Sequence, residues 1–536
     1  MKTPTKPRTS ARTATGVAAL AISLAFALAI VPEAPAQEPS REIPPAIGPH
    51  IDLMPGDFAS ARRFGPDDRV VMTHYFYWYD APTKAHVIDG DGTDALTTHP
   101  PTLDDFSYRS VSWHKGQLRD MIAAGIDVVL PVFWGTPADH APGSPFHWSF
   151  EGLPPFVKAL DELKAEGLSP PAVGLFYDTS TLQANGWGYH VDLTTDHGRE
   201  WFFATIRDFF SMIPPRHWAL LDGRPIVDLY SASFAKAHDQ SCIDRLKADF
   251  PKRFGGLAPY VIREISWNVK ADDVYAWGGA VQPNFLGVAE IGPGYDHSAV
   301  PGREPLVVDR EDGAFYERAW TRTLNRRPRI VIVETWNEFH EGTTIAEARE
   351  YGRKYIDLTR KYVDMLKAGV VPPRPKTAYS DAPSVAIVLD RVDQSKGLER
   401  IDVADGRSVP AEAGDRSARI AAEGVSAARY LYFRADDGFK WDRSMPATVE
   451  VDYFDVPGGS FGLQYDSQDP SADHNGAYKP AAGRVGLAGS LAWKIARFDL
   501  PDARLDGSQN GGADFRLAFE GAFPPIHAVR VLRPAR

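Results

Sequence analysis

The chain has 536 residues, one cysteine, 43% hydrophobic, 24% charged and 11% aromatic residues, and a formal charge of -11. This length suits two or three domains, each able to bury its own core, and the composition excludes a disordered chain. A negative charge without a dense Lys/Arg stripe argues against a nucleic-acid partner, because neutralising phosphates takes clustered cations.

The first residues carry Lys2, Lys6, Arg8 and Arg12, then an apolar run over 17–31 and Ala34-Pro35-Ala36. That order is the pattern of a secretory signal peptide over 1–36, cleaved after Ala36. As a helix the apolar run would reach about 22 Å, short of a roughly 30 Å hydrocarbon core, so a membrane anchor is the weaker reading. Cleavage removes four cations and Glu33 and takes the formal charge from -11 to -14. No other run approaches spanning length, so a secreted or periplasmic protein without a membrane span is expected.

A leader over 37–68 precedes a region, 69–369, in which β-rich runs alternate with helical patterns. Strands are predicted at 70–77, 126–133, 172–177, 225–230, 258–262, 273–277, 287–291 and 329–334, and helices at 115–124, 155–166, 199–212, 239–250, 313–324 and 345–366. Continuous apolar strands followed by helices imply a parallel sheet with a covered outer face. Eight of them favour an α/β fold of the (β/α)8 TIM-barrel type over an open doubly wound sheet. Residues 278–286 are too few for an ordinary crossover helix. The chain has no Gly-x-Gly-x-x-Gly after the first strand and no Walker motif, so no nucleotide or other cofactor is expected. Cys242, the lone cysteine, can form no intrachain disulfide. With Ile243, Leu246 and Phe250 at helical spacing beside it, it reads as a buried thiol rather than a nucleophile.

A linker over 370–382 carries Pro372, Pro373 and Pro375, which cannot continue the preceding helix. From 383 to 536 short, often alternating runs are separated by Gly, Asp, Pro and Ser, the signature of an all-β sandwich. Tyr465, Tyr478 and Trp493, with Asp466, Asp469, Asp473 and Asn475 in turns, suggest a carbohydrate-binding module. The same turns suit a calcium site or a sandwich that only braces the barrel.

The segment richest in chemistry is Ile330-Val331-Ile332-Val333-Glu334-Thr335-Trp336-Asn337-Glu338-Phe339-His340-Glu341-Gly342-Thr343. An apolar strand ends in polar and aromatic residues at what would be the carboxyl end of the last barrel strand, where barrel active sites are built. Glu338 and Glu341 can face one cavity, and two carboxylates in a shared site separate into a base and an acid, as glycosidic cleavage requires. The plain alternative is a pair of acids at the start of the helix predicted from 345, favoured by the helix dipole. A metal reading of Glu338-Phe339-His340-Glu341 is disfavoured because no His-Glu-x-x-His array exists. Period-2 geometry would place Glu334, Trp336 and Glu338 on one side, with Glu334 tuning Glu338 or pairing with an interior Arg.

Asn337-Glu338-Phe339-His340-Glu341-Gly342-Thr343 resembles the Asn-Glu-Trp-His-Glu-Gly-Thr signature of glycoside hydrolase family 99, the endo-α-mannosidases and endomannanases. Tyr75-Phe76-Tyr77-Trp78-Tyr79 is similar to that family's Tyr-Tyr-Pro-Trp-Tyr, and Val132-Phe133-Trp134-Gly135 and Pro293-Gly294-Tyr295-Asp296 extend the likeness over 69–366. The sequence also resembles a sister group, the domain of unknown function family 5010, as a closer match still, and membership there implies the fold but no activity. The resemblance to glycoside hydrolase family 99 implies that Glu338 takes a proton from a substrate 2-hydroxyl while Glu341 protonates the leaving oxygen, with retention through a 1,2-anhydro sugar. Phe339 in place of the family's Trp, Tyr77 in place of its Pro, and the extra Glu334 depart from the pattern.

Tyr75, Tyr79, Trp134 and Tyr295 offer faces for sugar rings, Asp178, Asp296 and Asn337 offer hydroxyl partners, and His340 would orient a catalytic Glu. An Asn337-Glu338 acid/base with Glu290 as nucleophile is the competing glycosidase reading, with its strand order wrong. The expectation is a secreted hydrolase of α-linked glycan or polysaccharide, α-mannan-like favoured. The alternatives are a non-catalytic glycan-binding protein on a degenerate barrel and a scaffold using the sandwich.

Overall fold

The computed structural model describes residues 41–534 apart from 304–305, 374, 423–428, 441–444, 470 and 475. The expected signal peptide over 1–36, Arg374 of the linker and Asn475 lie outside the described residues.

Eight strands form in the predicted places: β1 (Val70–Tyr75), β2 (Val128–Phe133), β3 (Leu175–Tyr177), β4 (Arg224–Leu229), β5 (Tyr260–Glu264), β6 (Asp273–Tyr275), β7 (Ala289–Ile291) and β8 (Ile330–Val333). Every residue of β1, β2 and β8 is buried, which is why these strands read as unbroken apolar runs. Parallel pairing runs in chain order from β1 to β6. β7 pairs with β8, and β8 returns to β1 with Val331 opposite Val71. Between β6 and β7 the Val288 N–H donates to the Val274 carbonyl at 2.9 Å, so the large sheet curls into a barrel-like ring.

Helices α1 (Val111–Ala124), α2 (Leu153–Ala165), α3 (Asp196–Met212), α4 (Gln240–Arg253), α5 (Ala314–Arg326) and α6 (Lys354–Lys367) accompany the strands. Ser110, Thr195 and Asp239 cap the first, third and fourth through their side-chain oxygens. Neither the β5–β6 nor the β6–β7 connection contains an α-helix, so the ring is a degenerate version of the expected fold. The turn after β6 is pinned instead by carboxylates. Gly278 and Ala280 donate their N–H groups to Glu334 Oε2 at 3.0 and 3.3 Å, and Gly279 donates to Glu290 Oε2 at 3.3 Å. The last predicted helix is also shorter than expected and starts only at Lys354. Residues 345–353 are held in turns because the Ile345 and Ala346 N–H groups bond back to the Trp336 carbonyl.

Past the Pro-rich stretch, two antiparallel sheets of seven and six strands enclose a second core containing Val385, Phe433, Val449, Phe461, Leu517 and Val529. Runs at 385–390, 429–434, 448–454, 459–465, 484–488, 493–499, 515–519 and 526–532 read as strands from the sequence, whereas Gln394–Lys396, Leu398–Ile401, Ser408–Ala413 and Arg416–Ala421 are strands without such a run. Ser408–Ala413 is mostly exposed, contains Pro410 and pairs on one side only, as an edge strand does, so it shows no apolar alternation.

Of the aromatic residues singled out here, Tyr465 and Tyr478 are buried, their hydroxyls spent on Asp502 and Asn510, and half-buried Trp493 packs against Phe454 and Arg416. Asp466 is fully buried against Arg504, and Asp469 closes a turn on Ser471. Cys242 is buried, and burial pushes its thiol up to about 12. Among the described residues no helix is long and apolar enough to cross a membrane.

Candidate active site

The loop after β8 folds on itself at the carboxyl ends of the strands. Glu338 N–H donates to Thr335 Oγ1, Thr343 N–H to the Glu338 carbonyl and Thr344 Oγ1 to the Trp336 carbonyl. Buried Arg310 donates to the carbonyls of Gly342 and Thr344 at 2.7 and 2.9 Å and stacks on Tyr351 and Tyr355. Gly342 takes φ +57, and a Cβ there would sit 3.2 Å from the Asp296 carbonyl. With α6 beginning at Lys354, neither Glu338 nor Glu341 lies in the first turn of a helix. The helix-dipole alternative is thereby removed.

Glu338 and Glu341 are 1% and 2% exposed and line one cavity of about 470 Å³ with Trp78, His86, Asp89, Arg303 and His340. Glu338 Oε1 accepts from the His340 N–H at 2.9 Å and lies 2.8 Å from His340 Nδ1, while His340 Nε2 donates to the His86 carbonyl. Burial opposes a charge on His340, but the charge and hydrogen bond of Glu338 outweigh it and raise the imidazole pKa. Glu338 Oε2 is buried with no hydrogen-bond partner among the described residues. Glu341 Oε1 accepts from Arg303 at 2.7 Å. Burial and then the Glu338 charge raise the Glu341 pKa, and Arg303 opposes them.

The other residues singled out in the sequence separate into three groups. Trp134 and Asp178 lie close behind the site. The Trp134 ring meets Trp78 edge-on at 5.8 Å. Asp178 caps the turn Thr179–Leu182 through Ser180, and burial, with a contribution from the Glu338 charge, raises its pKa to about 6. Tyr79 and Asn337 brace the loop. Tyr79 donates to the Asn337 carbonyl and accepts from Phe339 N–H, and the Asn337 amide pairs with both backbone groups of Phe76, at 2.8 and 2.7 Å. Asn337 therefore spends its amide on the backbone of the first-strand motif rather than offering it to a sugar.

Tyr75 does not face the cleft. It points outward, donates to His114 Nδ1 at 2.8 Å and packs on Trp113 and Phe156 of α1 and α2. Asp296 also turns away, closing a turn on Ser298, though its N–H holds the Glu341 carbonyl at 2.9 Å. Tyr295 is buried, shares a hydrogen bond with His297 and lies against Glu341, without lining the cavity.

The expected common side of Glu334, Trp336 and Glu338 is not realised, because β8 ends at Val333. Trp336 points out to Gln117 of α1 at 2.7 Å. Glu334 points inward, where backbone N–H groups, rather than the interior Arg of one of the two readings, hold its carboxyl. Burial raises its pKa to about 8, helped by the charge of Glu341. Glu290 is fully buried beside it and outside the cavity lining, a poor place for a nucleophile. Two motif departures are also structural: Phe339 packs on Tyr79 and Phe106, and the Tyr77 hydroxyl bonds Ser149.

Sequence reasoning missed Trp78, His86, Arg303 and Tyr230. Trp78 stacks on His86 at 4.9 Å with an interplanar angle of 4°, and both line the cavity. Trp78 stood in the first-strand aromatic motif, three residues past Tyr75 where β1 ends. Tyr230 is buried among Asp178, Glu341, Glu334 and Glu264, whose charges add to burial in raising its pKa. Among the described residues no group of three His, Cys, Asp or Glu side chains is placed to hold a metal ion.

A family model described as a domain of unknown function, DUF5010, matches residues 55–387. A Homo sapiens glycoprotein endo-alpha-1,2-mannosidase-like protein is 39% identical over 78 residues, 14% of this chain and 17% of that protein. A Xenopus laevis glycoprotein endo-alpha-1,2-mannosidase is 39% identical over 94 residues, 15% of this chain and 21% of that protein. The chain thus spans about a fifth of the length of these curated relatives. A solved GH99 endo-alpha-mannosidase from Bacteroides thetaiotaomicron has 15% identity and a TM-score of 0.39, over 56% of this chain and 98% of that one.

Proposed function

This chain belongs to the DUF5010 family, and for this member we propose hydrolysis of an α-linked glycan or polysaccharide, α-mannan-like, by Glu338 and Glu341 with retention. The observation that carries the reading is that both carboxylates border one cavity, each buried and each with a different partner. The local likeness to endo-alpha-1,2-mannosidases supports the substrate class.

Glu338, held through Oε1 by His340, uses Oε2 to take the proton of the sugar 2-hydroxyl. The 2-oxygen then closes on C1 as the glycosidic bond breaks, and Glu341 gives its proton to the departing oxygen. In the second half a water attacks C1 and yields its proton to Glu341, while Glu338 returns its proton to the 2-oxygen. Two displacements at C1 retain its configuration. Trp78 supplies the apolar wall for the C–H face of a pyranose.

The same reading treats residues 69–369 as a (β/α)8 catalytic domain that has lost two crossover helices, residues 383–536 as an accessory sandwich, and the protein as exported. Glu338→Gln and Glu341→Gln should each lower turnover on α-mannan oligosaccharides by at least about 100-fold while leaving the melting temperature within a few degrees. NMR of the first-formed anomer checks retention. Undiminished activity in either variant would remove the assignment.

A further inference from the structure

Arg303 lies beyond β7, in a segment where the sequence suggested no function. Its guanidinium lines the cavity and donates to Glu341 Oε1 at 2.7 Å, with its side chain 13% exposed. Glu341 is its ion-pair partner among the described residues, and its buried Nε has no hydrogen-bond partner there. The other groups facing Glu341 are Glu338 across the cavity, Glu334 and Tyr230 from the ring interior, and Tyr295 against its carboxyl. Glu338 and Glu334 are carboxyls and the two tyrosines are neutral donors, so Arg303 is the cation in direct contact with Glu341. The His340 imidazole bonds Glu338 and also faces the Glu341 charge without touching it.

We propose that Arg303 is a positioning residue for hydrolysis, aiming the Glu341 carboxyl into the cavity and setting the upper pH limit at which Glu341 still delivers a proton. The proposal rests on the reading of Glu341 as the acid. Burial and the Glu338 charge favour the protonated carboxyl, and a guanidinium in hydrogen-bond contact favours the ionised one. The contact also fixes direction, because a guanidinium bond to Oε1 and the Tyr295 hydroxyl against the carboxyl leave it little freedom to rotate. Without the cation, Glu341 would keep its proton to higher pH but lose its aim.

The test is the pH dependence of kcat/KM for wild type, Arg303→Gln and Arg303→Lys, with thermal melts to check folding. In R303Q the alkaline limb should move up by about one unit or more, the effect of removing an opposite charge at this distance. In R303K the limb should stay near the wild-type position while kcat falls, since an ammonium keeps the charge and loses the planar geometry. Independently of turnover, carbon-13 NMR on carboxyl-labelled glutamate, with the signal assigned by its loss in Glu341→Gln, should show the Glu341 titration moving upward in R303Q. An unmoved Glu341 titration in folded R303Q would overturn the inference and leave Glu338 and Glu341 as the catalytic pair. Absence of hydrolysis by the wild type would instead defeat the functional reading, and the NMR titration would still decide what Arg303 does to Glu341.

Discussion

Glu334 offers a test of the ring interior that does not depend on a substrate. Its carboxyl is fully buried, one oxygen accepts from Gly278 and Ala280, and the other has no partner among the described residues. Burial holds the folded-state pKa at about 8 against an ordinary value of 4.5. A carboxyl with a raised folded pKa contributes full stability below the unfolded value and loses it as pH rises to the folded one. In the unfolded chain Glu334 ionises near 4.5, whereas in the folded chain it stays protonated until about pH 8. The loss across that window is roughly 5 kcal/mol at 1.36 kcal/mol per unit. Glu334→Gln preserves an acceptor for the two N–H groups and cannot ionise. It should match wild type near pH 4.5 and exceed it by up to about 5 kcal/mol at pH 9. Guanidinium unfolding followed by tryptophan fluorescence at pH 4.5, 7 and 9 reads the difference. The same offset between the two proteins at all three pH values would refute the argument that Glu334 is protonated inside the ring.

Two further substitutions probe the architecture around the site. Gly279→Ala places a Cβ 2.6 Å from the Glu290 carbonyl carbon and the Ile291 nitrogen, backbone atoms that cannot swing aside. It should cost about 1–3 kcal/mol in thermal or denaturant unfolding, and an unchanged melt would show that the turn has slack. Tyr75→Phe removes the hydroxyl bonded to His114 on the outer face. It should cost about 1 kcal/mol of stability and leave kcat/KM within about twofold, whereas a large activity loss with normal stability would return Tyr75 to the cleft.

The ring strands could be read from the sequence most directly where burial on both faces makes the run continuously apolar, as in β2 and β8, while β6 and β7, which carry Asp273 and Glu290, are short and interrupted. The paired glutamates stood out because a polar cluster directly after such a strand has few structural explanations. Single residues were harder to place. Tyr75 and Trp78 belong to one aromatic motif, yet one packs on helices and the other walls the cavity. Composition cannot separate them, since both faces are buried and both accept aromatic rings. The period-2 projection through Glu334, Trp336 and Glu338 failed for a related reason: it assumed that β8 continues, and the strand stops at Val333.

The sequence by itself therefore determined the strands of the ring, the change to an antiparallel β architecture after the prolines, and the two carboxyls worth testing, all of which rest on local patterns. Tertiary structure decided what those carboxyls meet. Arg303 lies 38 residues from Glu341 and His86 lies 254 from His340, and they contact one another only because parallel pairing brings all the strand ends to one rim. It also decided that Glu334 and Glu290 would hold the turn after β6. Buried backbone N–H groups need acceptors wherever a crossover helix is missing, and no local spacing records which strand will supply them.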